Sequence, residues 1–281
     1  MKYKNKIIAL TTIHGKEKAI APSIKKILKA SICEINHDTD LLGTFSGEVD
    51  RIGSVEEVLK RKCLLGCESS SIPYGIASEG SFIPYPPFPF IGCDSESMLF
   101  LDLEDDIAIC ESLISTETNS NKLETDSLDE ALSFAETALF PSHAIIIRPN
   151  IWEDKSIIFK GIQIKTDLEI AFTEAKKNSS DEKIKIETDM RAHMNPSRMK
   201  VIAALAEKLA TRIASPCVKC NAPGFGIIRM EPGLHCEYCD AVTKLVKYEI
   251  YGCAKCGHES SRLRSDGKSK ASQSECEICN P

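Results

Sequence analysis

The chain has no long apolar run. Residues 7–10 hold four apolar side chains in a row, whereas a signal peptide needs about 7–15 and a membrane helix about 18 or more. Neither a leader nor a membrane span is expected. A basic excess is also lacking: 35 Lys and Arg face 41 Asp and Glu, a net charge of −6. Proteins that neutralise nucleic-acid phosphates carry a basic footprint, so nucleic acid is not an expected partner. G-x-x-x-x-G-K-[ST], G-x-G-x-x-G and G-x-S-x-G are all absent, which excludes the common phosphate loops and the common serine elbow. No internal repeat is visible.

Cysteine is plentiful. There are 13, and eight form four C-x-x-C pairs: Cys217/Cys220, Cys236/Cys239, Cys253/Cys256 and Cys276/Cys279. In a chain without an export signal such pairs read as metal ligands, not disulfides, and place the protein in a reducing cytoplasm. Each C-x-x-C is a tight turn with two thiolates on one side, and two turns together make a tetrahedral set suited to Zn²⁺. The gaps between successive pairs are 15, 13 and 19 residues. Gaps of 15 and 19 leave room for a hairpin within a site. Cys217, Cys220, Cys236 and Cys239 are therefore expected on one zinc, and Cys253, Cys256, Cys276 and Cys279 on another, with interleaved pairing as the alternative. Four thiolates leave no position for water, so both metals are structural. They are needed because the tail has few large apolar side chains, and bound zinc supplies folding energy. His235 and His258 are read as surface residues beside the ligands.

Ahead of the tail, residues 7–12, 31–35, 74–77, 98–103, 107–114, 144–147 and 183–187 read as strands. Helical patterns follow residue 16, Ser54, Ser127, Thr166 and Asn195, the middle three opened by Ser or Thr with Glu three residues on. Residues 37–53 are loop-rich, and residues 84–90 (PYPPFPF) read as a stiff covering loop. Alternating strands and helices with one hairpin indicate an α/β fold, a mixed sheet with flanking helices, followed by a small zinc-ribbon module. The expected units are 1–214 and 215–281. Cys63 and Cys67 share a helix face with Val55 and Leu59, and read as small buried hydrophobes.

Polar clusters stand at element ends, where α/β proteins bind ligands. Thr12, His14 and Lys16 lie at the first strand-to-helix turn, with Gly15 letting backbone approach an anion. Glu79 and Ser81 flank Gly80 after an apolar strand; a carboxylate there can hold Mg²⁺ or act as a base. Residues 115–119 (STETN) form a third cluster, read as an ordinary loop. In the fourth, Glu187, Asp189, Arg191, His193, Ser197 and Arg198 crowd twelve residues. Asn195 fits the cap and Pro196 the first helical position, which sets Ser197 and Arg198 in a first turn that favours an anion.

The whole chain resembles an uncharacterised bacterial family of about this length. The resemblance rests on His14-Gly15-Lys16, Asp40-Leu41-Leu42-Gly43-Thr44-Phe45, the phrase from Ile76 to Phe82, Phe140-Pro141-Ser142-His143, the phrase from Glu187 to Arg198, and the ending Cys279-Asn280-Pro281. That family brings no activity with it. In the order of their features, residues 7–213 also resemble the inosine triphosphate pyrophosphatase fold group of house-cleaning nucleotide hydrolases. By that resemblance Thr12, His14 and Lys16 stand at a phosphate turn, Glu57 and Lys62 on a helix, Glu79-Gly80-Ser81 at an acidic strand end, and Ser197-Arg198 at the final helix.

The expected activity is a Mg²⁺-dependent hydrolysis of a nucleotide or related phosphorylated small molecule. Glu79, Glu57, Asp189 and Glu187 are the candidate catalytic carboxylates. Thr12, His14, Lys16, Lys62, Ser81, Arg191, His193, Ser197 and Arg198 are the candidate ligand contacts. The alternative is a non-catalytic zinc-ribbon binding or adaptor protein that recognises a protein or a small ligand.

Overall fold

The computed structural model describes residues 2–36, 53–152 and 156–281. The expected loop-rich stretch, apart from Gly53, and the 40–45 phrase lie outside these.

The chain opens with β1 (Ile7–Thr11), α1 (Glu17–Ser23, continued by a π-turn over Ile24–Leu28), β2 (Ser31–Ile35) and α2 (Val55–Ser70). The long strands β3 (Tyr74–Tyr85), β4 (Phe88–Asp102) and β5 (Ile107–Ser115) follow. They form one mixed sheet of order β2-β1-β3-β4-β5, with β1 parallel to both neighbours and β4 and β5 antiparallel. α2 begins as the sequence indicates, with Ser54 and Glu57 in a reciprocal capping box. Strand alternation divides the sheet's side chains between two layers. Ile8, Leu10, Ile76, Met98 and Phe100 pack against α1 and the last long helix. Ala77, Leu99 and Leu101 pack against Leu59 and Cys63 of α2. Cys63 and Cys67 are buried, as the helix face indicates.

Because β2 and β3 lie on opposite sides of β1, the chain reverses direction across the sheet there. The crevice at the carboxyl ends of β1 and β3 is thus a topological switch point, where open α/β sheets bind ligands.

A second sheet follows, built from β6 (Lys122–Thr125), β7 (Ile145–Pro149), β8 (Phe159–Ile162) and β9 (Ile184–Thr188) in the order β6-β9-β7-β8. The helices α3 (Leu128–Thr137) and α4 (Lys165–Lys177) cover one face of it over Ile145, Ile147, Ile184 and Ile186. α5 (Pro196–Ala214) then returns to the first sheet. The region before residue 215 therefore holds two sheets with separate apolar cores. β6 and β8 escaped sequence reading because each has only four residues, too short for a period-two signal.

Other local expectations also differ. The strand expected at 74–77 runs on to Tyr85, and the stiff 84–90 segment is the tip of the β3–β4 hairpin. Pro is tolerated there because the ladder is ending. α4 starts at Lys165 with no side-chain cap, so Thr166 is not its cap.

The tail forms the antiparallel sheet β10 (Gly226–Pro232), β11 (Val246–Gly252) and β12 (Glu259–Leu263). It is not a bead on a string, since Cys217, Ala222, Phe225 and Cys253 share one apolar core with Ile109, Leu209 and Ile213. Arg212 ties the junction, donating to the carbonyls of Gly224 and Cys110 and pairing with Glu111 at 2.7 Å. Gly224 sits at φ +88°, and a Cβ there would run into the Ile109 side chain. Gly224→Ala is expected to cost about 1–3 kcal/mol from strain and overpacking together. Urea unfolding checks this; an unchanged midpoint would contradict the docked arrangement.

Candidate functional site

The eight tail cysteines form two tetrads, and the pairing corrects the sequential expectation. Cys217, Cys220, Cys253 and Cys256 make one, and Cys236, Cys239, Cys276 and Cys279 the other, with all four sulfurs of each within 4.8 Å. The first turn therefore pairs with the third and the second with the fourth. β10 is the reason. Its seven residues carry the chain about 23 Å from the first turn before Cys236 is reached. Antiparallel pairing of Gly226 with Gly252 then returns the third turn to the first. The bridge between Cys236 and Ala271 brings the fourth turn to the second. Sγ···Sγ spacings between paired turns are 3.8 and 3.6 Å in one set and 3.9 and 3.6 Å in the other. A tetrahedron with Zn–S of about 2.3 Å has edges of about 3.8 Å. Backbone N–H groups of Lys219, Tyr238 and Cys256 donate to sulfurs within the turns. Each tetrad can hold one zinc ion. Neither includes a histidine: His258 stacks on Phe225, and His235 Nδ1 lies 2.8 Å from the Asp240 carbonyl.

At the switch point six charged side chains are buried: Lys16, Lys62, Glu79, Asp94, Glu96 and Arg198. They lie on both sheet faces because consecutive β3 residues point opposite ways. Glu79 turns to α2 and forms an ion pair with Lys62. Ser78 turns the other way and takes Lys16, whose Nζ donates to its carbonyl at 3.1 Å and lies 3.0 Å from its hydroxyl. Next along that face is Gly80, over which Arg198 Nε donates to Glu96 Oε1 at 2.6 Å. Arg198 also donates to the Met190 carbonyl, and its guanidinium lies 5.5 Å from the centre of the Phe82 ring. A Cβ at Gly80 would enter both the Glu96 carboxylate and the Arg198 guanidinium. Gly80→Ala is therefore expected to break the pair and cost about 1–3 kcal/mol; denaturant unfolding that matched wild type would refute this.

Asp94 and Glu96 are the residues that sequence reading missed. They stand two apart on one face of β4, 1% and 0% exposed. Asp94 Oδ1 and Glu96 Oε2 have no hydrogen-bond partner among the described residues. The only sequence signal was a pair of carboxylates at strand spacing, alternating with Ser95 and Ser97 just ahead of the apolar run 98–101. Burial, then the neighbouring Glu96, pushes Asp94 up to about 7, against the opposing pull of Arg198 and Lys16. Burial, then Arg198, brings Lys16 down to about 8.

Asp94 has a consequence for stability. An ordinary aspartate titrates near about 3.9, so between about pH 4 and 7 the folded chain holds a proton that the unfolded chain releases. Stability from this group is present below that window and lost as pH rises through it. Asp94→Asn is expected to flatten the fall; parallel curves of unfolding midpoint against pH for the two proteins would contradict it.

The structure sorts the remaining candidates. Thr12 is buried, and its hydroxyl accepts the His14 N–H within the turn. His14 packs edge-on to His193 with ring centres 5.1 Å apart, so the first turn touches the segment that follows β9. Burial, aided by Lys16, lowers His14 to about 3, and burial also lowers His193. Ser81 is half-buried on β3, beyond Gly80.

Four expected site residues lie apart from the cluster or have their polar atoms engaged elsewhere. Glu57 is exposed, and its carboxylate is committed to the Ser54 N–H at 2.7 Å. Asp189 is fully buried with both oxygens taken: it accepts from Arg191 Nε, Nη2 and backbone N–H and from the Gly161 N–H. These contacts hold Arg191 in place. Ser197 turns away from Arg198 and meets His143. Glu187 lies off the cluster, 3.7 Å from Arg148, on the sheet face opposite α3 and α4. A cleft of about 190 Å³ runs between the two sheets there, lined among others by Phe82, Lys122, Lys160, Glu187 and Arg191.

Residues 62–281 match the family DUF6671, a domain of unknown function, and the chain belongs to that family. No curated protein matches it. Among the described residues no helix is long and apolar enough to cross a membrane.

Proposed function

We propose that this member of DUF6671 is a zinc-stabilised hydrolase that binds a nucleotide or related phosphorylated small molecule between its two sheets and cleaves it with Mg²⁺. The supporting observation is the buried cluster of three cations and three carboxylates at the switch point of the first sheet. Its formal charges cancel, so a phosphate dianion accompanied by a divalent cation would leave the net charge of the cluster unchanged. Asp94 Oδ1 and Glu96 Oε2 are buried carboxylate oxygens without hydrogen-bond partners among the described residues, the hard donor type that Mg²⁺ takes. On their face of the sheet they are the residues that would hold the ion, which supplies Lewis-acid charge when bound.

Lys16 and Arg198 neutralise phosphate oxygens and the charge that builds in the transition state. Arg191, fixed by Asp189, reaches the same ligand from the cleft. Glu79, held by Lys62, orients the attacking water and accepts its proton. Intact thiolate tetrads need a reducing compartment, which suits the cytoplasm.

The test is phosphate or pyrophosphate release from a panel of nucleoside triphosphates and phosphate monoesters with Mg²⁺. Glu79→Gln is expected to lower turnover at least about 100-fold. Wild-type turnover no higher than that of Glu79→Gln across the panel would end the proposal. A second reading, a binding protein working through its ribbon, draws on the exposed Val218, Tyr238, Val242, Leu263 and Ile278 of the tail.

A further inference from the structure

Ser197 and Arg198 leave the first turn of α5 in different directions. Arg198 enters the charge cluster, whereas Ser197 meets His143, just ahead of β7, for which the sequence indicates no partner. His143 is 5% exposed. Its Nε2 lies 2.9 Å from Ser197 Oγ and accepts the Ser197 backbone N–H at 3.2 Å. Its Nδ1 lies 2.9 Å from Ser142 Oγ, and that hydroxyl donates its proton to the Leu139 carbonyl at 2.7 Å.

These contacts settle the tautomer. With its hydroxyl proton engaged, Ser142 Oγ accepts from Nδ1–H. Nε2 therefore carries the lone pair, which the Ser197 hydroxyl and backbone N–H share as donors. Burial lowers His143 further below neutrality, which keeps the ring in its basic form. A nucleophile, a base within hydrogen-bond reach and a third group orienting the base together make an activated hydroxyl.

Ser197 opens onto a cavity of about 270 Å³, separate from the cleft between the sheets and lined among others by Leu113, Ile114, Val201, Ala204 and Lys200. Leu113, Ile114, Val201 and Ala204 give a short acyl chain an apolar rest, and Ser115 and Glu117 complete the lining. Lys200 and the positive end of α5, a helix of 19 residues, favour negative charge beside Ser197.

The geometry points to a second reactive site, in which Ser197 is the nucleophile, His143 its base and Ser142 a positioning residue, acting on a small carboxylic ester. Ser197 Oγ bonds to the carbonyl carbon while its proton moves to His143 Nε2. The C–O bond to the alcohol breaks, and His143 returns the proton to the departing oxygen. Water then attacks the acyl-serine, passing a proton to His143 that goes back to Ser197 Oγ as the carboxylic acid leaves. The sum is ester plus water to acid plus alcohol.

The experiment exposes the full zinc-loaded chain to a fluorophosphonate probe and to p-nitrophenyl acetate. The expected result is a probe adduct mapped to Ser197 by peptide mass spectrometry. Ester turnover should fall at least about 100-fold in both Ser197→Ala and His143→Gln, with a smaller loss in Ser142→Ala. Gln keeps an acceptor for the helix N–H, so a purely structural His143 would leave labelling unchanged. Equal labelling of wild type and His143→Gln overturns the proposal. So does wild type without an adduct at Ser197 under conditions that label a control serine esterase, a result that needs no variant to fold. Retained zinc and helical circular dichroism show which variants are folded.

Discussion

A Cys217→Ser/Cys253→Ser double variant is expected to keep about one chelator-resistant zinc per chain, while Cys217→Ser/Cys236→Ser keeps none. Under the interleaved pairing the first variant damages a single tetrad twice and spares the other. The second removes one thiolate from each. Sequential pairing predicts the reverse, so metal analysis after a chelator challenge decides between them. The effect on stability should be just as uneven. Cys217 and Cys253 belong to the apolar core shared with α5 and β5, whereas Cys236 and Cys276 do not. A structural zinc site supplies about 10–16 kcal/mol of apparent binding energy. Its loss at the first tetrad is expected to lower the thermal midpoint of the α/β region as well as the ribbon. Cys236→Ser/Cys276→Ser should unfold only the far end of the tail. Equal midpoints for the two double variants would contradict this coupling.

Arg198→Ala is expected to destabilise the fold by about 3–5 kcal/mol, because it strands the buried Glu96 charge beside Asp94. A loss of that size lowers the folding equilibrium constant by about two to four orders of magnitude. The penalty comes from unneutralised charge, so Asp94→Asn or Glu96→Gln in the Arg198→Ala background should recover part of it. The double variants would then be more stable than the sum of the singles. Urea unfolding measures all of these. A loss under about 1 kcal/mol for Arg198→Ala, or strictly additive doubles, would mean that the pair is screened by water and not buried as described. Glu79→Gln removes the carboxylate from the buried pair with Lys62, so its unfolding midpoint should fall as well, and its turnover is compared per folded chain.

Much of the first sheet was legible because its signals are local. Capping pairs at Ser54/Glu57 and Ser127/Glu130 and the Asn195-Pro196 start each act within one turn of helix, and the structure keeps all three. Thr166 failed as a cap because the same pattern competes with chain direction, and there the strand-to-helix turn ends two residues earlier, at Ile164. The division into two sheets was not legible. It depends on which strands pair, and β6 joins β9 across the 58 residues 126–183 through only four register positions.

The candidate sites divide along the same line. That eight cysteines form metal sites follows from spacing, since a C-x-x-C turn is a property of four consecutive residues. Which turns share an ion is a matter of distance in space, decided by β10 and its antiparallel return. Lys16, Glu79 and Arg198 could be named from element ends, and Lys62 from the resemblance, but their partners could not. Ser197 and Arg198 are neighbours in the chain, yet one faces His143 and the other Glu96, because a helix turns each residue about 100° from the last. Asp94 and Glu96, in the middle of a strand, became visible only once the fold had buried their oxygens together. Composition and short-range spacing thus determine the elements and the chemistry available. Side-chain direction and strand pairing, which act over distance, decide what that chemistry meets.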